Sequence, residues 1–309
     1  AAPLDVPGHF LTLADKQEVT RELLACGATI HDVNRVRKKL SAIKGGRLAQ
    51  AIAPAHCLSL ILSDVVGDDL DVIASGPTVP DSGTPAEALA TLDRYGLTGR
   101  IPATVTALLR DEAAGLAPDT PKADDPAFAT TRTVLVGTNY QALLAARDKA
   151  VALGYNTLIL TSHLTGEARE MAHLFLGMAR DMALHSQPLA PPACVIAGGE
   201  TTVTLRGPGK GGRNQEMALA FLDVLSQGGG DAAGTVFLAA STDGGDGPTD
   251  AAGAFASQAI LRRGQELGLE PAGFLAANDA YHYFQAVNEL LVTGPTNTNV
   301  CDIKILLSP

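Results

Sequence analysis

The chain holds no Cys-x-x-Cys pair. Its four cysteines, Cys26, Cys57, Cys194 and Cys301, stand singly, most of them in apolar runs. That pattern argues against a disulfide framework or a cysteine-built metal centre and fits a reducing, cytoplasmic compartment. No segment reaches the ~18 apolar residues of a membrane span. No signal peptide opens the chain, which begins without Met at Ala1-Ala-Pro-Leu4. Histidines are isolated: His31, His56, His163 and His282 share no Ser/His/Asp or zinc spacing, so each is expected to be structural. Positive charge is outnumbered, with 23 Lys and Arg against 33 Asp and Glu and a net charge of −10. Such a balance argues against general nucleic-acid or membrane-surface binding, and a small anionic substrate would need a local basic pocket.

What is there is globular: 46% apolar and 18% charged residues over 309 positions, too long for one typical core. Two domains are expected, residues 1–117 and 131–309, joined by a linker at 118–130 where Pro, Asp, Thr and Lys dominate. Strand patterns at 56–62, 134–137, 156–160, 193–197, 201–205, 235–240 and 300–307 are spaced by helix patterns at 11–25, 85–95, 103–113, 140–152, 166–185 and 216–225, with a glycine-rich loop at 228–230. That alternation predicts an α/β fold, two α/β/α domains with mostly parallel sheets. The strand at 56–62 is expected to be buried. Arg35, Arg37, Lys38 and Lys39 are expected to form a solvated helix face.

The most informative stretch is Gly207-Pro-Gly-Lys-Gly-Gly-Arg-Asn-Gln-Glu216, a glycine-rich turn with one Lys and one Arg at the mouth of a helix. Glycines let backbone N–H groups approach an anion, a helix N-terminus favours negative charge, and Arg213 offers a planar fork beside the point charge of Lys210. The turn predicts a phosphate or carboxylate site, with an exposed basic hairpin before a capped helix as the plain alternative. It is not a P-loop, since Gly211 follows Lys210 where Ser or Thr belongs. It matches G-x-G-x-x-G through Gly207, Gly209 and Gly212, but the segment before it is Thr-rich and alternating and Pro208 lies inside it. A dinucleotide turn, with Asp231 or Asp243 on the ribose, therefore stays open as the weaker reading.

Acidic and hydroxyl-rich loops follow several strands. Ser63-Asp64-Val-Val-Gly-Asp-Asp69 closes one strand, and Asp64 suits either a ligand contact or an Asx turn. Ser75-Gly-Pro-Thr78 suits an anion. Ser241-Thr-Asp-Gly-Gly-Asp-Gly-Pro-Thr-Asp250 suits Mg²⁺ on Asp243 and Asp246, with Asp250 capping the next helix. Thr293-Gly-Pro-Thr-Asn-Thr-Asn299 is a turn whose Thr296 and Asn297 offer uncharged hydrogen-bonding groups. Ser41-Ala-Ile-Lys-Gly-Gly-Arg47 echoes the Lys-Gly-Gly-Arg of the central turn.

Taken in order, Ser41-Ala-Ile-Lys-Gly-Gly-Arg-Leu-Ala49, Ser63-Asp-Val-Val-Gly-Asp-Asp69, Ile73-Ala-Ser-Gly-Pro-Thr78, Gly198-Gly-Glu-Thr201, Gly209-Lys-Gly-Gly-Arg-Asn-Gln-Glu216, Ser241-Thr-Asp-Gly-Gly-Asp-Gly247 and Thr293-Gly-Pro-Thr-Asn-Thr-Asn299 resemble the glycerate 2-kinases with a C-terminal MOFRL domain, proteins often labelled hydroxypyruvate reductases. The resemblance covers nearly the whole chain. It implies two α/β domains with an active-site cleft between them, the first Rossmann-like and here incomplete, with the MOFRL region at about 232–309. It implies ATP, Mg²⁺ and D-glycerate phosphorylated at the 2-hydroxyl; the charge balance leaves no nucleic acid or membrane as an expected partner, and a homodimer is admitted. The family's further N-terminal segment, with a lysine in Gly-Lys-Ala and a Gly-Gly-Ser run, is not among these residues, and Lys44 is not that lysine; the chain is expected to be a shortened form. On this basis Arg213, Asp243 and Lys44 are the expected catalytic residues. Gly198, Gly199, Glu200, Thr201, Lys210, Gly211, Gly212, Asn214, Asp64, Ser75, Arg47, Thr296 and Asn297 are expected at substrate or nucleotide, and Asp243 and Asp246 at the metal. The rival functions are NAD(P)H-dependent hydroxypyruvate reduction and non-catalytic binding of a sugar acid.

Overall fold

Thr12 accepts the N–H of Asp15 while the Asp15 carboxylate takes the N–H of Thr12, a reciprocal cap that starts α1 (Leu13–Ala25) where the sequence places it. The computed structural model describes residues 5–6, 9–228, 232 and 234–309. Gly229 and Gly230, expected in a loop, and Asp231, the alternative ribose acid, lie outside them. The chain divides into one unit of residues 1–61 and 68–136 and another of residues 62–67 and 137–309.

The first unit opens with β1 (Asp5–Val6) paired to β2 (His9–Phe10), then α1, α2 (Ile30–Lys39), α3 (Arg47–Ile52), β3 (Cys57–Leu62), α4 (Pro85–Arg94), α5 (Ala103–Ala113) and β4 (Thr131–Gly137). Thr84 and Glu87 cap α4 reciprocally, with Pro85 at its first position, where a missing N–H costs nothing. Leu23, Val33, Val36, Leu92, Val105, Leu108 and Leu109 build a helical core rather than a covered parallel sheet. The sheets of this unit are two-stranded, β1 with β2 and β3 with β4. Among the described residues it therefore lacks the broad parallel sheet that the Rossmann-like expectation implies. β3 is also not buried throughout. Its exposure alternates, with Leu58 and Leu60 turned to solvent.

Two expectations for this unit change. The basic run is not a solvated face: Lys38 and Lys39 are buried in α2, Lys38 between Asp71 and Asp81, and Lys39 against Asp81 at 3.0 Å and Asp119 at 2.6 Å. Residues 118–130, expected as a linker, are held in the unit, because Asp119 and Thr120 supply that lysine's partners. A buried ammonium needs such partners, since desolvation otherwise costs several kcal/mol.

The second unit holds α6 (Asn139–Ala152), β5 (Asn156–Leu164), α7 (Ala168–His185), β6 (Ala193–Gly199), α8 (Arg213–Ser226), β7 (Val236–Ser241), β8 (Gly253–Ser257), α9 (Gln258–Glu266), α10 (Pro271–Ala276), α11 (Ala280–Val287), β9 (Leu290–Leu291) and β10 (Asp302–Ser308). One six-stranded sheet runs β5-β6-β10-β7-β8-β9. The α/β class holds, but the strand directions are mixed: β5 and β6 are parallel, while β10 is antiparallel to both β6 and β7, and β8 is antiparallel to β7 and β9. The Thr-rich segment 201–205 is not a strand. It makes a single bridge, Thr202 to Glu167.

Strand alternation sorts the core. Cys194 and Ile196 of β6 pack with Leu143 and Ala150 of α6, while Ala193, Val195 and Ala197 pack with α7 and α8 on the other face. On β10, Ile303, Ile305 and Leu307 go with the α6 face, which leaves Asp302, Lys304 and Leu306 on the opposite one. Phe237 of β7 lies between Phe175 of α7 and Phe221 of α8, each ring centroid 4.9 Å from its own.

Candidate functional site

The site assembles where β10 starts between two strand ends. Asp302 pairs in register with Gly199 on one side and with Ser241 on the other. Both neighbours run antiparallel to β10, so the carboxyl ends of β6 and β7 meet there, the usual position for a ligand in an α/β fold. Arg213, the first residue of α8, reaches Asp302 with a two-pronged fork: Nε donates to Oδ2 at 2.7 Å and Nη2 to Oδ1 at 2.9 Å. Its Nη1 donates to Glu200 at 2.6 Å. Lys304 Nζ donates to Asp302 Oδ2 at 3.0 Å, and neither side chain has any exposure, whereas the Arg213 side chain keeps 30%.

Burial opposes every charge in this group, and the partners decide the outcome. Burial disfavours the Arg213 cation, yet Asp302 and Glu200 hold it above its usual range. Burial disfavours the Asp302 carboxylate, yet Arg213 and Lys304 hold its pKa below the ordinary one. Burial prevails at Lys304, whose pKa is lowered. The Cys301 thiol is pushed up to about 12 by burial and then by the charges of Glu200, Asp302 and Asp64. Asp64 sits in the 62–67 segment and so belongs to this unit, not with the Lys44 side of the chain.

The glycine-rich turn is clamped by the loop before α11. Asn278 Oδ1 accepts from the N–H groups of Arg206 and Gly207, and Asp279 Oδ1 accepts from Lys210. The Lys210 ammonium lies 4.1 Å from the centre of the Tyr281 ring. A Cβ on Gly209 would meet Asp279, and one on Gly212 would lie 2.3 Å from the Asp246 carboxylate carbon. These glycines admit the protein's own loops. Likewise Gly198 and Gly199 make room for the Asn139 amide and the Leu164 backbone rather than for a phosphate cradle. The dinucleotide turn fails on the same ground, and no strand leads directly into it. Three donors at the start of α8 differ: among the described residues, no hydrogen bond takes the N–H of Gly211, Gly212 or Arg213.

Asp246 departs from its expected place on a metal. Its carboxylate is buried, with Oδ1 accepting from the N–H and Nδ2 of Asn214 and Oδ2 accepting from the N–H and Nε2 of Gln215. It caps α8 from outside the helix, and burial pushes its pKa up despite those donors. Asp243 forms an Asx turn, its Oδ1 taking Ser241 Oγ at 2.8 Å and the N–H of Gly245 at 2.9 Å. Among the described residues no three His, Cys, Asp or Glu side chains group as a metal cage. Of the Asp243 and Asp246 carboxylate oxygens, only the second of Asp243 carries no hydrogen bond among the described residues, so the two offer no pair of free carboxylates to a metal. Asp250 caps no helix: it accepts from the Tyr281 hydroxyl, and a strand follows.

Thr296 is tied into the same loop, its N–H on the Asp243 carbonyl and its hydroxyl on the Thr242 carbonyl. Asn297 is exposed with φ 58°. Thr201 is buried, and its hydroxyl has no partner among the described residues. Asn214 is fully buried against Asp246. Lys44, Arg47 and Ser75 lie in the first unit. Lys44 Nζ donates to the Ala74 carbonyl at 2.7 Å and to Ser75 Oγ at 3.3 Å. Ser75 in turn donates to Asn34. Arg47 is structural: its guanidinium takes the carbonyls of Lys38, Lys39 and Ser41 at the end of α2, and Glu112 at 3.1 Å.

Sequence reasoning missed Asp302, Lys304, Asn278 and Asp279. A signal for the first two existed. Opposite charges two residues apart in Val300-Cys-Asp-Ile-Lys-Ile-Leu-Leu307 must share one face of a strand that is otherwise apolar.

Two family models match the chain: a domain of unknown function, DUF4147, over residues 1–110, and the MOFRL family over residues 193–302, which begins earlier than the expected 232–309. A D-glycerate 2-kinase of Thermotoga maritima is 38% identical over 301 residues, covering 97% of this chain and 68% of that protein. A putative hydroxypyruvate reductase of Agrobacterium vitis is 45% identical over 303 residues, covering 97% of this chain and 66% of that protein. The crystal structure of a glycerate kinase from Thermotoga maritima superposes with a TM-score of 0.86 at 37% identity, over 99% of this chain and 70% of that one. No helix among the described residues is long and apolar enough to cross a membrane.

Proposed function

Because the chain belongs to the glycerate kinase family, we propose that it transfers the γ-phosphoryl group of ATP to the 2-hydroxyl of D-glycerate, giving 2-phosphoglycerate and ADP. One observation carries the reading: Arg213 is held by Asp302 and Glu200 at the start of α8, beside the uncommitted N–H groups of Gly211 and Gly212. A fixed guanidinium and adjacent N–H donors suit either the glycerate carboxylate or the transferring phosphoryl group. Phosphoryl transfer asks a protein mainly for position and charge neutralisation, and this cluster supplies both. The new bond joins the glycerate oxygen to phosphorus, the bond from phosphorus to the ADP oxygen breaks, and the hydroxyl proton leaves to a base. Asp243 is the candidate base, since only its Oδ1 is engaged. Mg²⁺, when bound on the phosphates, neutralises their charge.

The test is direct. The purified protein is given Mg·ATP and D-glycerate, ADP release is followed, and the product is passed to enolase, which accepts the 2-phosphate only. Release of ADP with enolase-competent product is expected. Oxidation of NAD(P)H by hydroxypyruvate without ADP release would establish the reductase instead, and glycerate binding without turnover would make the protein a binding module. The filled glycine turn argues against the reductase.

A further inference from the structure

The net charge of −10 requires any anion to find a local basic pocket, and the first unit contains one. A cavity of about 430 Å³ is lined by α1 together with Arg37, Leu40 and Lys44. Its cations are Lys16, Arg21, Arg37 and Lys44, and none of its described lining residues is Asp or Glu. Arg21 is already paired with Glu18 and Glu22. The Arg37 guanidinium makes no hydrogen bond or ion pair among the described residues. Lys44 is anchored by neutral acceptors, the Ala74 carbonyl and the Ser75 hydroxyl, which fix its position without cancelling its charge.

Lys16, Arg37 and Lys44 oppose one another. The Lys16 pKa is lowered to about 8, by burial first and then by the charges of Lys44 and Arg37. Burial and Arg37 lower that of Lys44. Arg37 and Lys44 are like charges beside a cavity with no acid among its described lining residues, and a multiply charged anion would offset their repulsion. Leu13, Leu24 and Leu40 add apolar surface to the lining. A carboxylate of a small hydroxy acid needs one cation and no such surface. The volume lies within the ~300–1,000 Å³ of small-molecule sites.

We propose that this cavity binds a nucleoside di- or triphosphate, with Lys16, Arg37 and Lys44 on the phosphate chain and the leucines against the base. The choice of a nucleotide rests on the kinase reading; the affinity for a polyphosphate chain does not.

Calorimetric titration without Mg²⁺ tests it, using ADP, inorganic tripolyphosphate and D-glycerate as probes on the wild-type protein, Arg37→Met, Arg37→Lys and Lys16→Gln. Losing one charge-assisted contact should weaken ADP and tripolyphosphate roughly tenfold or more. Arg37→Lys should recover part of that loss, which a merely misfolded variant would not do, and D-glycerate affinity should not move. ADP binding equally tight in wild type and Arg37→Met, or no binding of either polyphosphate to the wild type, overturns the proposal. Turnover that survives in both charge-removing variants sinks this site and leaves the kinase reading intact. Polyphosphate binding that depends on Arg37 in a protein without kinase turnover does the reverse.

Discussion

Arg213 and Asp302 face each other through two parallel N–H···O bonds, and the only fully buried cation beside them, among the described residues of that cluster, is Lys304. The two ends of this pair should fail differently. Arg213→Ala leaves Asp302 its second partner, so folding should change little, while kcat with D-glycerate should fall roughly 10³-fold by analogy with transition-state arginines. Near-normal turnover in that variant would remove Arg213 from the chemistry. Asp302→Ala instead strands Lys304 without a counter-charge and should cost about 3–5 kcal/mol, read from the urea midpoint.

Asp246 holds the first turn of α8 through the N–H groups of Asn214 and Gln215. Asp246→Asn should therefore destabilise the protein by about 0.5–2 kcal/mol, the range of a lost helix cap. The Mg²⁺ concentration giving half-maximal turnover should stay where it is. A large rise in that concentration, with the thermal midpoint unchanged, would return Asp246 to the metal.

Glu112 brings a pH dependence. Burial pushes its carboxyl up to about 7, against the opposing pull of Arg47, with Asp119 raising it and Lys39 lowering it. Between the ordinary glutamate value and about 7 the folded protein keeps a proton that the unfolded chain has lost. Stability should therefore fall as pH rises through that window, by about 3 kcal/mol at most, and level off above it. Glu112→Gln cannot lose that proton. The thermal midpoint of wild type minus that of the variant should drop between pH 5 and 8, and a flat difference would refute the assignment.

Lys39 has no exposure and lies between Asp81 and Asp119. Lys39→Met should cost about 3–5 kcal/mol by leaving buried carboxylates short of a cation. Because a buried pair is poorly screened, the loss should be similar in low and high salt. A loss that disappears in high salt would mean that the ammonium is hydrated after all.

Much of the element order was legible, because capping boxes such as Thr12–Asp15 and Thr84–Glu87 are local and need no knowledge of the fold. Strand direction was not. Alternation of strands with helices suggests parallel pairing, but β10 inserts between β6 and β7 in the opposite sense, and nothing near residue 302 announces which strands it will join. The motifs do come together in space, since Glu200, Arg213 and Asp243 lie around one strand end. Their individual roles were less visible. Glycines that look made for phosphate instead admit Asn139, Asp246 and Asp279, and Arg47, which looks like a ligand residue, closes a helix end. The glycine contacts join residues far apart in sequence, so composition and spacing carry no trace of them.

The position of β10 also governs timing. This strand pairs with β6 on one side and β7 on the other, Ser308 opposite Ala193 and Leu307 opposite Val236. During synthesis those two strands emerge long before the strand that belongs between them. Until residues 302–308 leave the ribosome, β6 and β7 present unpaired edges, and Arg213 has no Asp302 to meet. Maturation of the site should then wait for that late strand, in a slow, long-range step during which the open edges are exposed to association.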